Sequence, residues 1–340
     1  MDPLGISKQR LIEVTDSFSG CHVAVYGDLV ADEFVYGEIS RVSREAPVLI
    51  LKHKESRVVP GGAANAVNNL HALGAIPIPV GVLGEDSSGE ALTQQFLAKD
   101  IQLSLIRKAT AYQTPTKTRV LAGSLHSSRQ QVLRLDRESQ FLHTAETRSE
   151  LWPQLESLLK KCRGIIISDY GFGFVSPELA GRVANQRNSI PVTLDSRHSL
   201  LQFSGLTAST PNEAEVEEAL GVKIGSDLTN LEAAGRSLLR QLRLEALLIT
   251  RGRHGMALFL PDQQTVHIPI FGTDEIADVT GAGDTVISVF TLALTVGANF
   301  YEAARLSNYA GGIVVMKRGT ATLTAAELRE AILNDFSENA

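Results

Sequence analysis

The sequence predicts an α/β fold of three layers: a central, mostly parallel sheet, helices on both its faces, and a small β-sheet lid. Three observations predict it. Short apolar runs alternate with helical patterns along most of the 340 residues, the order expected of βαβ units in a sheet covered on both faces. Two segments, about 33–59 and 114–136, break that rhythm with β-branched and aromatic residues and no helical period, so they read as strands outside the main sheet. No repeat, low-complexity stretch or Pro/Gly/Ser-rich linker divides the chain, so one domain over 1–340 is expected, its lid made of insertions.

The apolar runs at 22–26, 77–83, 164–168, 191–194 and 246–250 are short enough to be buried strands. Helical periods lie between them at 63–73, 89–99, 149–160, 177–186 and 228–242. The last third adds helices at 282–296 and 301–315 and another from 325. The run 286–296 is too short to span a membrane and carries Ser288, Thr291 and Thr295, so a buried helix is expected.

A net charge of -6 argues against a nucleic-acid surface, which needs clustered positive charge. Cys21 and Cys162 match no metal spacing or disulfide framework and read as buried thiols. The first 18 residues lack a signal-peptide core. Together these predict a cytoplasmic protein without a membrane partner. The eight histidines show no ligand spacing.

The sharpest signal is Asp278-Val279-Thr280-Gly281-Ala282-Gly283-Asp284, followed at once by an apolar helix. Glycines permit backbone geometries closed to other residues. A helix beginning there offers unpaired N–H groups and the positive end of its dipole to phosphate oxygens. Asp284, in the first turn, is either a helix cap or a base that orients a hydroxyl beside a phosphate and takes its proton. An ordinary Asp, with a pKa near ~3.9, is a weak base, but phosphoryl transfer relies mostly on positioning and charge stabilisation. A Walker A loop is absent.

A second segment belongs with the first: Gly61-Gly62-Ala63-Ala64-Asn65 opens a helix, and Gly81-Val82-Leu83-Gly84-Glu85-Asp86 follows. The two together resemble the signatures of the ribokinase-like (phosphofructokinase-B type) carbohydrate kinases, over about 23–328; Val67 stands where a small residue is usual. The stretches 27–32, 41–48, 116–120, 130–136, 210–215 and 312–322 are similar to the heptose 7-phosphate kinase branch. That branch is often fused to a nucleotidyltransferase domain; no His-x-Gly-His motif occurs here, and a stand-alone kinase is expected. Four departures change what a phosphorylated sugar would meet: Phe172 for a usual Lys, Glu33 for Arg, Arg44 for Pro, and Asp195-Ser196-Arg197 for Asp-Pro-Lys.

The resemblance implies a ribokinase-like fold and an ATP-dependent sugar kinase with Asp284 as base. Its substrate would be a sugar or sugar phosphate, a heptose 7-phosphate (C1 hydroxyl) first. Gly281, Ala282 and Gly283 would form an anion hole. Asp28 would bind sugar hydroxyls, with Asp32 and Asp169 on the same substrate side, Gly61 and Gly62 letting the backbone approach the sugar, and Asn65 supplying donor and acceptor. Asn212-Glu213-Ala214-Glu215 matches the family's Asn-x-x-Glu motif, whose ends face one side of a helical turn. Asn212 and Glu215 would hold Mg2+ largely through water, or merely cap an acidic helix. Thr250, Arg251 and Gly252 would meet ATP phosphates, or form a plain hairpin turn; Asn308 would wall the adenine pocket, or only pack. Lys117, Arg119 and Arg134 on the lid would meet a substrate phosphate, or be solvated strand charges. A monovalent cation is a further candidate cofactor, and the lid's open edges predict a homodimer. The alternatives are a kinase of another sugar, sugar phosphate or nucleoside, and a non-catalytic sugar or nucleotide sensor on the same fold. A dinucleotide oxidoreductase is disfavoured, because no Gly-x-Gly-x-x-Gly follows the first strand.

Overall fold

The computed structural model describes residues 5–123, 130–272, 278–317 and 319–338. Residues 124–129 of the expected lid lie outside the described residues, as do Met1 to Leu4 and Arg318.

The chain alternates as its apolar pattern requires. It runs through α1 (Lys8–Asp16), β1 (His22–Gly27), β2 (Leu29–Val42), β3 (Leu49–Gly62), α2 (Ala63–Ala72), β4 (Ile76–Gly84), α3 (Ser87–Leu97), β5 (Ile106–Ala109), β6 (Thr116–Gly123), β7 (Gln130–Arg137), α4 (Ala145–Lys161), β8 (Gly164–Asp169), α5 (Pro177–Gln186) and β9 (Val192–Ser196). It continues through β10 (Ala208–Ser209), α6 (Glu213–Leu220), α7 (Leu228–Gln241), β11 (Ala246–Thr250), β12 (Met256–Phe259), β13 (Val266–Ile268), α8 (Ala282–Thr295), α9 (Phe300–Val315) and α10 (Ala325–Glu338). The main sheet has nine strands in the order β13-β12-β11-β10-β9-β8-β1-β4-β5. Seven run parallel, and β12 and β13 add an antiparallel hairpin edge. The expected parallel sheet is thus present with that edge added: four-residue β12 and three-residue β13 are too short to show a period.

Alternation within each strand feeds two cores. Val23 and Val25 of β1 pack with α1, α2, α3, α8, α9 and α10, while Ala24 and Tyr26 pack on the other face with α4, α5, α6 and α7. The polar residues of α8 do not disturb this burial. Ser288, Thr291 and Thr295 each donate to the carbonyl four residues back, at 2.6–2.7 Å. Cys21 and Cys162 are both free and buried. No helix among the described residues is long and apolar enough to cross a membrane.

The second sheet has the order β3-β2-β6-β7 and comes from the two segments that broke the rhythm. Its 14-residue strands β2 and β3 form a long antiparallel hairpin. That hairpin starts two residues after β1 and ends directly on α2, so the small sheet rises from the C-terminal edge of the large one.

Strand order reverses between β1 and β8: one run of crossovers leaves β1 for β4 and β5, the other leaves β8 for β9 and beyond. In open α/β sheets the crevice beyond the strand ends at such a point is where ligands bind. Gly27 is required there. A Cβ on it would lie 2.4 Å from the Ser168 carbonyl oxygen and 2.7 Å from Ala63 Cβ. Gly27→Ala is therefore expected to destabilise by about 1–3 kcal/mol, read as a lower denaturation midpoint at unchanged m-value.

Candidate active site

The turn before α8 is shaped by its own side chains. Asp278 accepts from the Thr280 N–H at 2.9 Å and from the Gly319 N–H at 3.1 Å. Gly281 then takes φ 79°, which glycine alone adopts freely, and α8 begins. Asp284 falls in its first turn but does not cap it; no side chain caps this helix. Its carboxylate instead accepts from Asn65 Nδ2 at 2.8 Å on Oδ2 and from the Tyr170 hydroxyl at 2.7 Å on Oδ1. Asp284 is buried, and burial pushes its pKa up to about 6 against the two hydrogen bonds, which hold it down.

Asn65 ties the two glycine turns together. Its amide also reaches the Gly281 carbonyl at 3.3 Å, and its Oδ1 accepts from Asn69, whose own Oδ1 accepts from Thr285 in α8. The expected sugar contact of Asn65 is thus replaced by a buried network. Asp28 is corrected in the same way. It is fully buried, and its carboxylate accepts from the backbone N–H groups of Tyr170, Phe172 and Phe174 at 2.9–3.1 Å. It therefore anchors the loop after β8, across the point where strand order reverses. Burial, then Asp169, pushes the Asp28 pKa up to about 6. Asp169 is engaged too, accepting from Ser196 Oγ at 2.7 Å and from the Gly171 N–H at 3.0 Å.

Asp32, whose charge also acts on Asp284, is paired with Arg119 and accepts from Thr320 Oγ1 at 3.3 Å. Gly61 is needed beside it: a Cβ there would lie 2.6 Å from Asp32 Oδ2. Gly62, at φ 55°, starts α2 beneath the Tyr170 ring. Of the three lid cations, Arg119 is taken by Asp32 and Arg134 by a two-pronged pair with Asp136. Lys117 alone turns inward, its Nζ 4.9 Å from the centre of the Tyr170 ring. Phe172 is buried with Val30 and Tyr170. Glu33 is bound to Thr118 and Arg137, at 2.6 and 2.9 Å.

A cavity of about 380 Å3 opens beside Asp284. Its floor is Gly281, Ala282, Gly283 and Asp284, and Met256, Ile270, Val286, Val315 and the Gly311–Gly312 pair make an apolar wall with Asn308. Thr250 and Gly252 line it, but Arg251 does not: its guanidinium is held by Glu213 at 2.6 Å, which removes both from the expected phosphate contacts. Asn212 and Glu215 line it, but Glu213 and Ala214, expected beside the nucleotide with them, do not: their positions between the two ends of the motif lie off the side that meets the cavity. Asn212 and Glu215 also form a reciprocal cap of α6 at 2.9 Å, the capping reading of this motif. Ala282's N–H donates to the Val279 carbonyl at 3.2 Å and leaves the expected anion hole. Among the described residues nothing accepts from the N–H of Gly281 or Gly283.

Two residues were not assigned a role from the sequence. Asp195, at the end of β9, and Arg197 both line the cavity. The Asp195 pKa is raised by burial and then by Glu215 nearby. Arg197 covers the Tyr170 ring on a cation–π contact of 4.7 Å. The departure from Asp-Pro-Lys at 195–197 is the available signal: it marks a change in what a phosphorylated sugar would meet but assigns neither residue a role.

Asp284 binds more protons folded than unfolded between about pH 4 and 6, so its contribution makes stability fall as pH rises through that window. The ionised form costs on the order of 3 kcal/mol above it. Asp284→Asn, whose amide can accept from Asn65 and donate to Tyr170 Oη, is expected to raise Tm at pH 8. The gain should fade on acidification below about pH 5 in thermal melts.

The pfkB family carbohydrate kinase model matches residues 22–326. Bifunctional protein HldE of Geotalea uraniireducens (strain Rf4) is 39% identical over 307 residues, covering 89% of this chain and 61% of that protein. The protein of the same name from Pseudomonas syringae pv. syringae (strain B728a) is 39% identical over 316 residues, 93% of this chain and 64% of its own. The chain thus spans less than two thirds of the length of these curated relatives. Among solved structures, Escherichia coli phosphofructokinase-2 in complex with substrates and products aligns with a TM-score of 0.72 at 14% identity, over 92% of this chain and 99% of that one. Arabidopsis thaliana ribokinase complexed with ribose and ATP aligns with a TM-score of 0.67 at 18% identity, over 93% and 98%. Fold and sequence agree with the two glycine turns, and the chain belongs to the pfkB family of carbohydrate kinases.

Proposed function

We propose that the protein transfers the γ-phosphoryl group of ATP to a sugar hydroxyl, with Asp284 as the base and a heptose 7-phosphate, at its C1 hydroxyl, as the preferred acceptor. The observation that carries this reading is the Asp284 carboxylate, buried at the start of α8 and lining the cavity, with a pKa pushed up to about 6. A carboxylate so tuned accepts a proton more readily than an ordinary Asp. The acceptor oxygen bonds to the γ-phosphorus, its proton passes to Asp284, and the bond to the bridging oxygen breaks, leaving the electron pair on ADP. The N–H groups of Gly281 and Gly283 and the dipole of α8 face the charge that builds on the transferring group. Base and phosphates occupy the floor, and the apolar wall with Asn308 takes the adenine.

The donor set suits Mg2+. Thr210 Oγ1 is buried on the cavity wall without a hydrogen-bond partner among the described residues, and the Asp195 and Glu215 carboxylates share that wall. Asn212 and Glu215 would hold the ion largely through water, and it would neutralise phosphate charge. A monovalent cation remains part of the proposal from the resemblance alone.

The heptose phosphate is supported by the curated relatives' sequence likeness and by two cations, Lys117 and Arg197, on the Tyr170 ring. A second reading, an unphosphorylated acceptor, is favoured by the pairing of Arg119 and Arg134 with carboxylates. The small sheet is proposed as a lid that excludes water. The face carrying exposed Val132, Leu133 and Leu135 on β7 is proposed as its contact with a second copy.

A panel of heptose 7-phosphate, other sugar phosphates, free sugars and nucleosides, read by ADP release, tests the reaction. ATP bound without turnover on every member would sink it and leave a sensor. On the active acceptor, Asp284→Asn is expected to lower kcat by about 10²–10⁴-fold while ATP affinity, measured by calorimetry, barely moves. Lys117→Ala and Arg197→Ala should each raise KM about tenfold or more for a phosphorylated acceptor, the loss of a charged hydrogen bond. Neither should do so for its unphosphorylated counterpart.

A further inference from the structure

Tyr170 stands where two sets of contacts meet. Its hydroxyl donates to Asp284 Oδ1 at 2.7 Å, and its own N–H is held by Asp28 at 2.9 Å. Lys117 and Arg197 lie 4.9 and 4.7 Å from the ring centre, and Gly62 sits under the ring edge, where a Cβ would be 3.2 Å from Cε2. The side chain is thus fixed at backbone, ring and hydroxyl. We infer that Tyr170 is a positioning residue for the base: with Asn65 it holds the Asp284 carboxylate in one orientation and sets how strongly it takes a proton.

The argument is geometric. Each Asp284 oxygen has one fixed donor, Tyr170 on Oδ1 and Asn65 on Oδ2, and each keeps a second lone-pair direction for an acceptor hydroxyl. A carboxylate held by one donor alone could swing about its last torsion. Held by two, it presents its free lone pairs in one plane, which is the orientation that converts proximity into rate. Tyr170 keeps its proton throughout: burial, and then the Asp284 charge, raise its pKa well above 10, so it donates and does not exchange roles with the base. The other charged groups facing Asp284 are Arg197, after β9, and Asp32, on β2; Asp195 lies on the same side. A donor to the ionised form lowers the carboxyl's pKa, so removing the phenol should raise it, with Asn65 and Asp32 unchanged and Arg197 losing only its own bond to the same side chain.

This inference rests on Asp284 as the base, and its test separates the two. In the full chain labelled with carboxyl-¹³C aspartate, the Asp284 resonance is the one missing from Asp284→Asn. It should titrate near 6 in the parent protein and about one pH unit higher in Tyr170→Phe, the scale of one hydrogen bond to a charge. On D-glycero-β-D-manno-heptose 7-phosphate, Tyr170→Phe should lower kcat about tenfold or more, change KM little, and move the acid limb of kcat/KM upward. An unchanged midpoint, or an unchanged kcat and acid limb, overturns the inference. If no acceptor in the panel is turned over by the parent protein, the kinase reading fails, and the titration still decides the role of Tyr170. Should Tyr170→Phe not fold, 3-fluorotyrosine incorporation serves: its more acidic phenol is a stronger donor and should move the Asp284 midpoint down, and no movement overturns the inference.

Discussion

A buried carboxylate with one donor on each oxygen is the constraint around which this protein is organised. Asp284 is bonded to Asn65 and Tyr170, and each partner is itself restrained. Asn65 is held through Asn69 to Thr285, and Tyr170 through the Asp28 carboxylate that gathers three N–H groups of its loop. All of this lies over the ends of β1 and β8, where the strand order leaves room for a crevice. The arrangement is not optimal for stability. It keeps two acids, Asp28 and Asp284, with pKa values pushed up to about 6 by burial. Proteins retain such strain where chemistry needs it.

Charge is divided sharply between the two halves of the site. Toward the small sheet, Asp32 is paired with Arg119, and Lys117 and Arg197 flank Tyr170. Two cations near each other, neither in an ion pair of 4 Å or less among the described residues, suit an anion more than a neutral sugar ring. Toward α9 the cavity turns apolar, ending on Gly311 and Gly312. Helix α8 starts between these halves, on the cavity lining that carries Gly281, Gly283 and Asp284. A Cβ on Gly281 would lie 2.6 Å from Asn65 Nδ2, so the glycine is also what lets the two turns touch.

The small sheet is joined to the site at its base and open at its far end. β2 begins just after Asp28 and carries Asp32, and β3 ends in Gly61 and Gly62. Its base is buried, while β7 is exposed along its whole length. The same element therefore supplies buried polar groups to the site and joins the strands that hold Asp32 and Lys117, β2 and β6, to the exposed strand β7.

By itself the sequence determined the layers, because the period of apolar residues is local, and it determined where the chemistry gathers, because glycine runs that open helices are local too. It missed α1, β5, two-residue β10 and the β12–β13 edge, which are too short or too polar to show a period. Only the tertiary structure decided which of the flagged side chains are free. Asp28 is occupied by N–H groups 142 to 146 residues away, Arg119 by Asp32 at a separation of 87, and Arg251 by Glu213 at 38. Residue type and spacing say what a group can bond to. Which bond it makes depends on neighbours that only folding brings within hydrogen-bond reach, and for a buried charge those neighbours decide whether it anchors a loop, balances an opposite charge or waits for a substrate.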